Sequence, residues 1–451
     1  MFKNIQTIAD IDILVIGAGS SGCMAALAAA ASKKYSVLLV ERYGFAGGSS
    51  TQMLDTFYGF FTPGETPKKI VGGLPDIVVN ELNSLGEIFL RPNTYGAGTG
   101  VNYNPERLKQ AWDALLLKAG VHLLLHTTLI DVNQKSDGGY ECIFWNKSGF
   151  CKAVPKRIID ASGDADFCHL AGFNYEIAGE LEPAQSLTTT FRMANVDLEE
   201  YEKAGGKKKL QQIMAATTHP LPRKEGSAHA MNIEKCITTV AVKVAGLNAL
   251  NVDELTRAEV EGRRQAFVFE QFFRDEVPGY SHSKIIGLST QIGVRETRRV
   301  YGEHRLTKDE CMSATIPDDS ILLCGAPIED HRADKDGEME TIWQYIPKGG
   351  IYGVPYGTIV PKQSNTVWVV GRCFSATHDA HASCRSMAQT MAMGNAAGTA
   401  AIQSLEKDEA ASELNVKMLR DNLRQHQTIL ETPAAAAFTG KDEWSLNVEL
   451  Q

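Results

Sequence analysis

The chain of 451 residues has little of what marks several other classes of protein. None of its nine cysteines forms a CxxC pair and no Cys/His cluster has zinc-finger spacing, so we expect reduced thiols and no metal site. No apolar run reaches the roughly 18 residues of a membrane span, and residues 1–10 lack the pattern of a secretory signal. The formal net charge of −9 argues against a nucleic-acid-binding surface. These absences favour a cytoplasmic globular protein.

What is present begins with a glycine-rich turn near the start of the chain. A short apolar run at 11–16 leads into Gly17, Gly19 and Gly22 of a GxGxxG pattern, and an Ala-rich segment with helical composition follows. A second apolar run at 35–40 ends on Glu41. Together these predict a dinucleotide-binding βαβ unit, in which the helix N-terminus binds a diphosphate and the acid binds a ribose. The charge of the acid would repel the 2′-phosphate of NADP.

Later segments favour further contact with a dinucleotide. The glycine pair Gly47-Gly48, just beyond Glu41, is either a simple turn or a passage close to the ligand. Residues 157–166 repeat the pattern of a strand that ends in a turn of small residues. Near the end, a predicted helix at 382–404 contains Gly394 and Gly398. Glycines inside a helix cost about 1 kcal/mol each, so they imply close approach by another backbone or a ligand.

The order of predicted elements indicates an α/β fold with two domains. Residues 1–172 predict a Rossmann-like domain with a parallel sheet and a β-meander, and a loop or cap insertion at 54–103. Its strands include 121–132, 140–145 and 149–154. Residues 173–350, with a helix pattern at 252–276 and strand-like alternation at 186–193, predict an inserted α+β substrate or cap domain. The first domain resumes at 351–405, and a polar helix at 407–430 with a tail completes a C-terminal segment at 406–451.

On these motifs, the chain resembles the FAD-dependent oxidoreductases of the glutathione-reductase-type fold, and more narrowly the "FAD-dependent oxidoreductase" family. The motifs are VIGAGSSG at 15–22, VERYGFAGGSST at 40–51, RIIDASGDAD at 157–166, IGVRETRRVYGE at 292–303 and VVGRCFSATHDAHASCRSMAQTMAMGNAAGTAA at 369–401. The resemblance implies that the Rossmann-like domain binds FAD non-covalently. The expected cofactor-binding residues are Gly17, Gly19, Ser20, Ser21, Gly22, Glu41, Arg42, Gly47, Gly48, Ser49, Ser50, Leu129, Ala161, Gly163, Gly371, Arg372, Ala388, Gln389 and Thr390.

Two departures bear on the reaction. The GRCFSATH segment stands where many flavin hydroxylases carry a Gly-Asp-Ala-Ala-His signature, which weakens a hydroxylase interpretation. No second GxGxxG unit exists for a built-in NAD(P)H domain. The flavin would then be reduced by the substrate itself or by a transiently bound donor.

The segment before the predicted helix at 382–404 supplies the catalytic candidates. His378 is the predicted general base and His381 a weaker one, because an unperturbed histidine has a pKa near 6.5. Both could instead be packing groups at a helix start. Arg385 and Arg295, or Arg192, could bind a substrate carboxylate, although structural ion pairing is the default for each. The helix N-terminus near Ala388 would stabilise negative charge on the flavin.

These residues predict a flavin dehydrogenase or oxidase that transfers hydride from a small polar molecule to flavin N5. The alternatives are an NAD(P)H-dependent flavin monooxygenase and a non-catalytic nucleotide-binding scaffold. The partners are a small-molecule substrate and an electron acceptor that the sequence leaves open among oxygen, a quinone and another redox protein. A homo-oligomer also stays open.

Overall fold

The computed structural model describes residues 5–8, 11–333 and 339–432. The strands are, in chain order, β1 (Gln6–Thr7), β2 (Ile13–Ile16), β3 (Val37–Val40), β4 (Thr56–Phe57), β5 (Ile88–Arg91), β6 (Gly100–Tyr103), β7 (His122–Leu124), β8 (Thr128–Gln134), β9 (Tyr140–Asn146), β10 (Gly149–Ala153), β11 (Arg157–Asp160), β12 (Tyr175–Ile177), β13 (Phe191–Ala194), β14 (Ser227–Ala230), β15 (Ile237–Val240), β16 (Lys284–Leu288), β17 (Arg298–Val300), β18 (Ser320–Cys324), β19 (Ile328–Ala333), β20 (Met339–Gln344), β21 (Tyr352–Pro355) and β22 (Val367–Val369). The helices are α1 (Ser20–Ala30), α2 (Ser49–Gln52), α3 (Asp76–Ser84), α4 (Pro105–Lys118), α5 (Asp166–Leu170), α6 (Leu198–Lys203), α7 (Gly206–Ala216), α8 (Val252–Glu276), α9 (Lys308–Ser313), α10 (His378–Cys384), α11 (Met387–Lys407) and α12 (Val416–Gln425).

A five-stranded parallel sheet forms the centre of the first domain. Its strand order is β22-β11-β2-β3-β7, and every neighbouring pair is parallel. All residues of β2, β3 and β22 are buried, as expected for parallel strands covered on both faces. The strand, glycine turn and helix of the predicted βαβ unit are β2, residues 17–19 and α1. The structure therefore confirms the Rossmann-like α/β fold.

Helices α1 and α11 pack closely because small residues line their contact. A side chain at Gly394 would overlap the carbonyl oxygen of Ser21, and one at Gly398 would overlap that of Ala25. Both glycines of α11 therefore serve close helix–helix approach, one of the two uses that the sequence predicted.

The β-meander is confirmed as the antiparallel strands β8, β9 and β10, with β1 added parallel to β10. The predicted single strand at 121–132 is wrong, because the chain turns between β7 and β8. His126, in that turn, has a φ of +53° and its N–H donates to the carbonyl of Tyr43 at 3.1 Å. As a result β7 belongs to the parallel sheet and β8 to the meander.

A second domain covers one side of the first. Its antiparallel sheet has the order β14-β15-β13-β16, called the cap sheet below, and α8 packs on it. Phe191 of the sheet stacks on Phe269 of α8 with ring centroids 6.4 Å apart. Apolar residues between 187 and 292 form this core, whereas those between 306 and 346 belong to the first core. The domain limits at 173, 350 and 405 stay predictions.

The C-terminal third corrects two predicted helices. The helix predicted at 382–404 is two helices, α10 and α11, because the chain leaves the helical conformation at Arg385 and Ser386. The polar helix predicted at 407–430 is wrong: α11 extends to Lys407, Asp408 turns the chain with a φ of +53°, and α12 begins only at Val416. The predicted tail from 433 onward lies outside the described residues.

Candidate active site

The glycine turn forms one wall of a cleft at the carboxyl ends of β2, β3, β11 and β22. Gly17 has a φ of +93°, which suits glycine, and a side chain at Gly19 would meet no atom within 4 Å. Gly22 lies so close to the carbonyl of Gly17 that a side chain there would overlap it. The turn therefore presents bare backbone to the cleft while α1 packs tightly behind it, as dinucleotide-binding turns require.

The second glycine pair completes this wall. Gly47 bridges to Gly19, and its N–H donates to the carbonyl of Ala18 at 2.7 Å. Gly48 has a φ of +56° and lies so close to Gly19 that a side chain would contact its Cα at 2.8 Å. The pair is therefore more than a simple turn, because it brings a second stretch of backbone beside the first.

Glu41 ends β3 and lies at the floor of the cleft. Its Oε2 accepts the N–H of Ala18 at 2.7 Å and its Oε1 accepts that of Tyr43 at 2.9 Å. The carboxylate is buried, and burial raises its pKa although both N–H groups act in the opposite direction. Each oxygen keeps a lone pair for a further donor, so the predicted contact to ribose hydroxyls is feasible.

The turn after β11 forms the opposite wall. Asp164 accepts a hydrogen bond from Arg372 at 2.6 Å, and the other end of the Arg372 guanidinium donates to the carbonyl of Val294 at 2.9 Å. Burial and the neighbouring Asp164 raise the pKa of Asp166 to about 6. Arg372 thus connects the turn after β11 to Val294 of the second domain through hydrogen bonds.

Most predicted cofactor residues line this one cleft. The lining includes Gly17, Gly19, Ser20, Ser21, Glu41, Arg42, Gly48, Ser49, Leu129, Ala161, Gly163, Gly371, Arg372 and Thr390. The lining excludes Gly22, Gly47, Ser50, Ala388 and Gln389.

The predicted groups at the start of α11 are engaged elsewhere. Gln389 donates from Nε2 to the carbonyl of Gly59 at 2.8 Å, and the N–H of Ala388 donates to the carbonyl of Tyr58 at 3.1 Å. Met387 and Thr390 are the residues of this helix start that line the cleft. The predicted contact of Ala388 and Gln389 with FAD therefore gains no support from the geometry.

Arg295 and Arg385 line the same cleft. Arg295 donates to the carbonyl of Ser186 and to Thr188 Oγ1 at 2.6 Å, and Arg385 donates to Gln185 Oε1 at 2.9 Å. Burial and the like charge of Arg385 lower the pKa of Arg295 to about 9. Among the described residues neither guanidinium forms an ion pair with a carboxylate, and the buried Nε of Arg385 has no hydrogen-bond partner. The two guanidinium groups therefore present hydrogen-bond donors and positive charge to the cleft, which suits an anionic ligand.

The predicted base, His378, does not line this cleft. Its Nδ1 lies 3.2 Å from Glu296 and its Nε2 lies 3.2 Å from Asp330. Burial alone would lower the pKa of His378, but the two carboxylates raise it to about 10. The ring is therefore a buried imidazolium at neutral pH, which is the wrong protonation state for a base.

His381 is also a packing group. Its Nε2 donates to the carbonyl of Arg372 at 2.7 Å, and its ring stacks on Phe374 with centroids 5.7 Å apart. Burial lowers the pKa of His381 to about 3, so the ring is neutral. The structure thus favours, for both histidines, the structural alternative that the sequence left open.

A sequence profile described as FAD dependent oxidoreductase matches residues 12–423. The chain belongs to the FAD-dependent oxidoreductase family. The match extends over both domains and confirms the resemblance inferred from the motifs. A comparison with curated proteins finds no match for this oxidoreductase.

Solved structures offer low similarity to the oxidoreductase. A geranylgeranyl bacteriochlorophyll reductase-like protein from Thermoplasma acidophilum is 14% identical, with a TM-score of 0.46 over 94% of this chain and 85% of that chain. The p-nitrophenol 4-monooxygenase PnpA from Pseudomonas putida DLL-E4 is 10% identical, with a TM-score of 0.48 over 97% and 91%. A flavoprotein/dehydrogenase from Cytophaga hutchinsonii is 13% identical, with a TM-score of 0.44 over 92% and 83%. Similarities this low support no conclusion about the reaction.

The cleft of the oxidoreductase fits its family's cofactor, FAD. The bare backbone at Gly19 and Gly48 leaves room where a diphosphate would lie, at the N-terminus of α1. Glu41 can accept from ribose hydroxyls. Among the described helices, none combines the length and the apolar composition that a bilayer crossing requires.

Sequence reasoning missed the cap side of the cleft. Thr188, Val240 and Gln291 line it. The carboxylates Glu296 and Asp330 do not line it but hold His378 behind it. The alternation at 186–193 is a signal that could have pointed to Thr188, since a strand covering a ligand presents every second residue to it. No local pattern marks Glu296 or Asp330, which reach His378 only through the fold.

Proposed function

We propose that this oxidoreductase is a dehydrogenase or oxidase of a small polar acid, and that Arg295 and Arg385 bind the carboxylate of its substrate. The observation that carries the proposal is the position of these two guanidinium groups, which share one cleft with the FAD-binding turn. Glu329 acts on both of them electrostatically, but among the described residues no carboxylate lies within 4 Å of either. Guanidinium groups bind carboxylates through paired, charge-assisted hydrogen bonds, which also restrict the orientation of the bound molecule.

Each part of the cleft has a chemical task in this proposal. Bound FAD supplies the acceptor for a hydride. Arg295 and Arg385 hold one end of the substrate, which limits rotation of the carbon beside the carboxylate. The second domain covers the cleft through Val240 of the cap sheet and through Thr188 just before it, and so reduces the access of water. The substrate is thereby held between the cofactor wall and the cap.

An anaerobic reduction screen tests the proposal. The FAD-loaded protein is mixed with 2-hydroxy acids and amino acids, and with the corresponding alcohols and amides, while flavin absorbance is followed. We expect bleaching by acids and none by the neutral analogues. Arg385→Met should raise the half-saturating concentration roughly 10- to 150-fold, because a hydrogen bond to a charged group is worth about 1.5–3 kcal/mol.

Arg264 on α8 provides the matched control, since it pairs with Glu261 on the surface at 2.7 Å. Arg264→Met should leave the half-saturating concentration unchanged. Equal bleaching by acids and by their neutral analogues would refute the proposal. Rapid bleaching by NADPH alone would favour the monooxygenase alternative, and a purified protein that takes up no FAD would favour a scaffold.

A further inference from the structure

A cluster of buried polar side chains lies on the cap side of the cleft, beyond the residues that face FAD. Thr341 Oγ1 is its centre, 2.9 Å from Lys243 Nζ, 3.0 Å from His331 Nδ1 and 3.3 Å from Arg223 Nη2. Lys243 Nζ also lies 2.6 Å from His331 Nδ1. Lys243 is only 6% exposed, so its amine is held away from bulk water.

The hairpin β19–β20 connects this cluster to the substrate arginines. Alternation along β19 directs Glu329 and His331 to one side, where Glu329 Oε1 lies 2.8 Å from His331 Nε2, and Asp330 to the other side, where it meets His378. The carbonyl of His331 accepts the N–H of Ser186 at 2.7 Å, and the carbonyl of Ser186 accepts from Arg295. A single residue, Ser186, thus connects the cluster to Arg295 through its two backbone hydrogen bonds.

Four basic side chains of the described residues converge in this region. The cation cluster consists of Arg223, Lys243, Arg295 and Arg385. Among the described carboxylates, the buried Glu329 acts electrostatically on all four, and Glu296 and Asp330 act on Arg385. Glu225 pairs with Arg223 at the surface, with 62% of its side chain exposed. The buried Nε atoms of Arg223 and Arg385 have no hydrogen-bond partner among the described residues. Buried donors without partners cost free energy, which an acceptor on a bound ligand would offset.

The amine of Lys243 has a lowered pKa in this buried cluster. Burial lowers its pKa to about 6, with Arg295 and Arg223 acting in the same direction and Glu329 and Glu225 opposing them. Burial lowers the pKa of His331 to about 3, so its ring is neutral and adds no further positive charge. Near neutral pH the lysine is therefore the one member of the cation cluster that can gain a proton.

We propose that Arg223 and Lys243 of the cation cluster bind the second anionic group of a small dianion, such as a dicarboxylate, and that Lys243 takes up one proton when the dianion binds. The first carboxylate lies at Arg295 and Arg385, so the inference rests on the proposed function and narrows its substrate class. Burial is the main cause of the low pKa of Lys243, and a negative charge beside the amine favours its protonated form. The oxygens of the dianion also provide acceptors for the free Nε donors. Because the bound state holds an extra proton, affinity falls as the pH rises above about 6.

Calorimetric titration of the FAD-loaded protein tests this with malonate, succinate and glutarate as dianions and with propionate and butyrate as monoanions. Measurements in buffers of different ionisation enthalpy give the number of protons taken up. At neutral pH we expect at least one dianion to bind tenfold or more tightly than the monoanions, with uptake of nearly one proton. Lys243→Met should abolish the uptake and reduce the affinity for the dianion to that for the monoanions.

Two further variants control for misfolding of Lys243→Met. Lys209→Met, at an exposed lysine of α7, should change neither affinity nor uptake. Thr341→Val keeps the amine but removes its hydroxyl partner, so it should alter the size of the uptake while FAD stays bound. The inference is overturned if no dianion binds, if dianions and monoanions bind equally, or if Lys243→Met keeps the uptake. Reduction by hydroxy acids without proton uptake would leave the proposed function standing and remove this inference alone.

Discussion

At the scale of single residues, neighbours in sequence have opposite environments. His378 and Arg385 lie at the two ends of α10, yet His378 lies 3.2 Å from each of two buried carboxylates, whereas among the described residues Arg385 has no carboxylate within 4 Å. More distant carboxylates, Glu329 first, still act on Arg385. The sequence pattern predicted the histidine as the base, and its two close partners favour a structural role.

Replacing His378 tests whether its role is structural or catalytic. His378→Asn removes the buried imidazolium between Glu296 and Asp330, which leaves Glu296 with Arg299 and Asp330 with only Arg332 at 3.7 Å, so we expect the free energy of unfolding to fall by about 3 kcal/mol. The same substitution at His304, which is more exposed and pairs with Glu310 at 2.7 Å, should cost no more than about 1 kcal/mol. Urea denaturation of both variants measures the difference. Unchanged stability together with anaerobic reduction slowed by about two to four decades would restore His378 as the base.

At the scale of elements, patterns within one helix predicted its bounds well when both ends carried local signals. The helix predicted at 252–276 is α8 to the residue, because Asn251 accepts the N–H groups of Asp253 and Glu254 at its start. The helix predicted at 382–404 broke at Arg385, where no proline or glycine marks the end.

The contact between α1 and α11 gives a prediction at this scale. Gly394→Ala would place a methyl group against the carbonyl of Ser21, and overpacking of this kind costs about 1–3 kcal/mol. Because Ser21 lines the FAD-binding turn, the variant should also lose FAD more readily on dilution. Gly287→Ala is the control, since its methyl group would meet no atom within 4 Å, and it should shift stability by no more than about 0.5 kcal/mol. Equal retention of FAD by both variants would contradict the assigned role of Gly394.

At the scale of the whole molecule, buried charges link stability to pH. A network runs from Arg305 through Glu176, Arg299 and Glu296 to His378. Glu296 has its pKa lowered to about 2: burial opposes that shift and its hydrogen bond to His378 drives it. Its stabilisation is complete above the ordinary pKa near 4.3 and is lost as the pH falls towards 2.

Between about pH 6.5 and pH 10, two buried groups oppose each other. His378, with its pKa raised to about 10, holds a proton that the unfolded chain has lost, so its stabilisation disappears as the pH rises through 10. Lys243, with its pKa lowered to about 6, lacks a proton that the unfolded chain keeps, so it destabilises the folded protein, and this destabilisation becomes smaller as the pH rises. We expect a nearly flat profile for the native protein. Denaturation across this range should show stability rising with pH in His378→Asn and falling with pH in Lys243→Met, by at most about 1.4 kcal/mol per pH unit. Parallel profiles for the three proteins would contradict this balance.

The sequence by itself determined the FAD-binding half of this protein. The turn from Gly17 to Gly22, the acid at Glu41 and the glycine pair at 47–48 act through backbone conformation and short-range spacing, so their roles are encoded where they stand. Only the tertiary structure decided the chemistry of the cap side. The charge states of His378 and Lys243 depend on carboxylates and arginines far away in the chain, because electrostatic effects in a buried site follow distance in space and not distance in sequence.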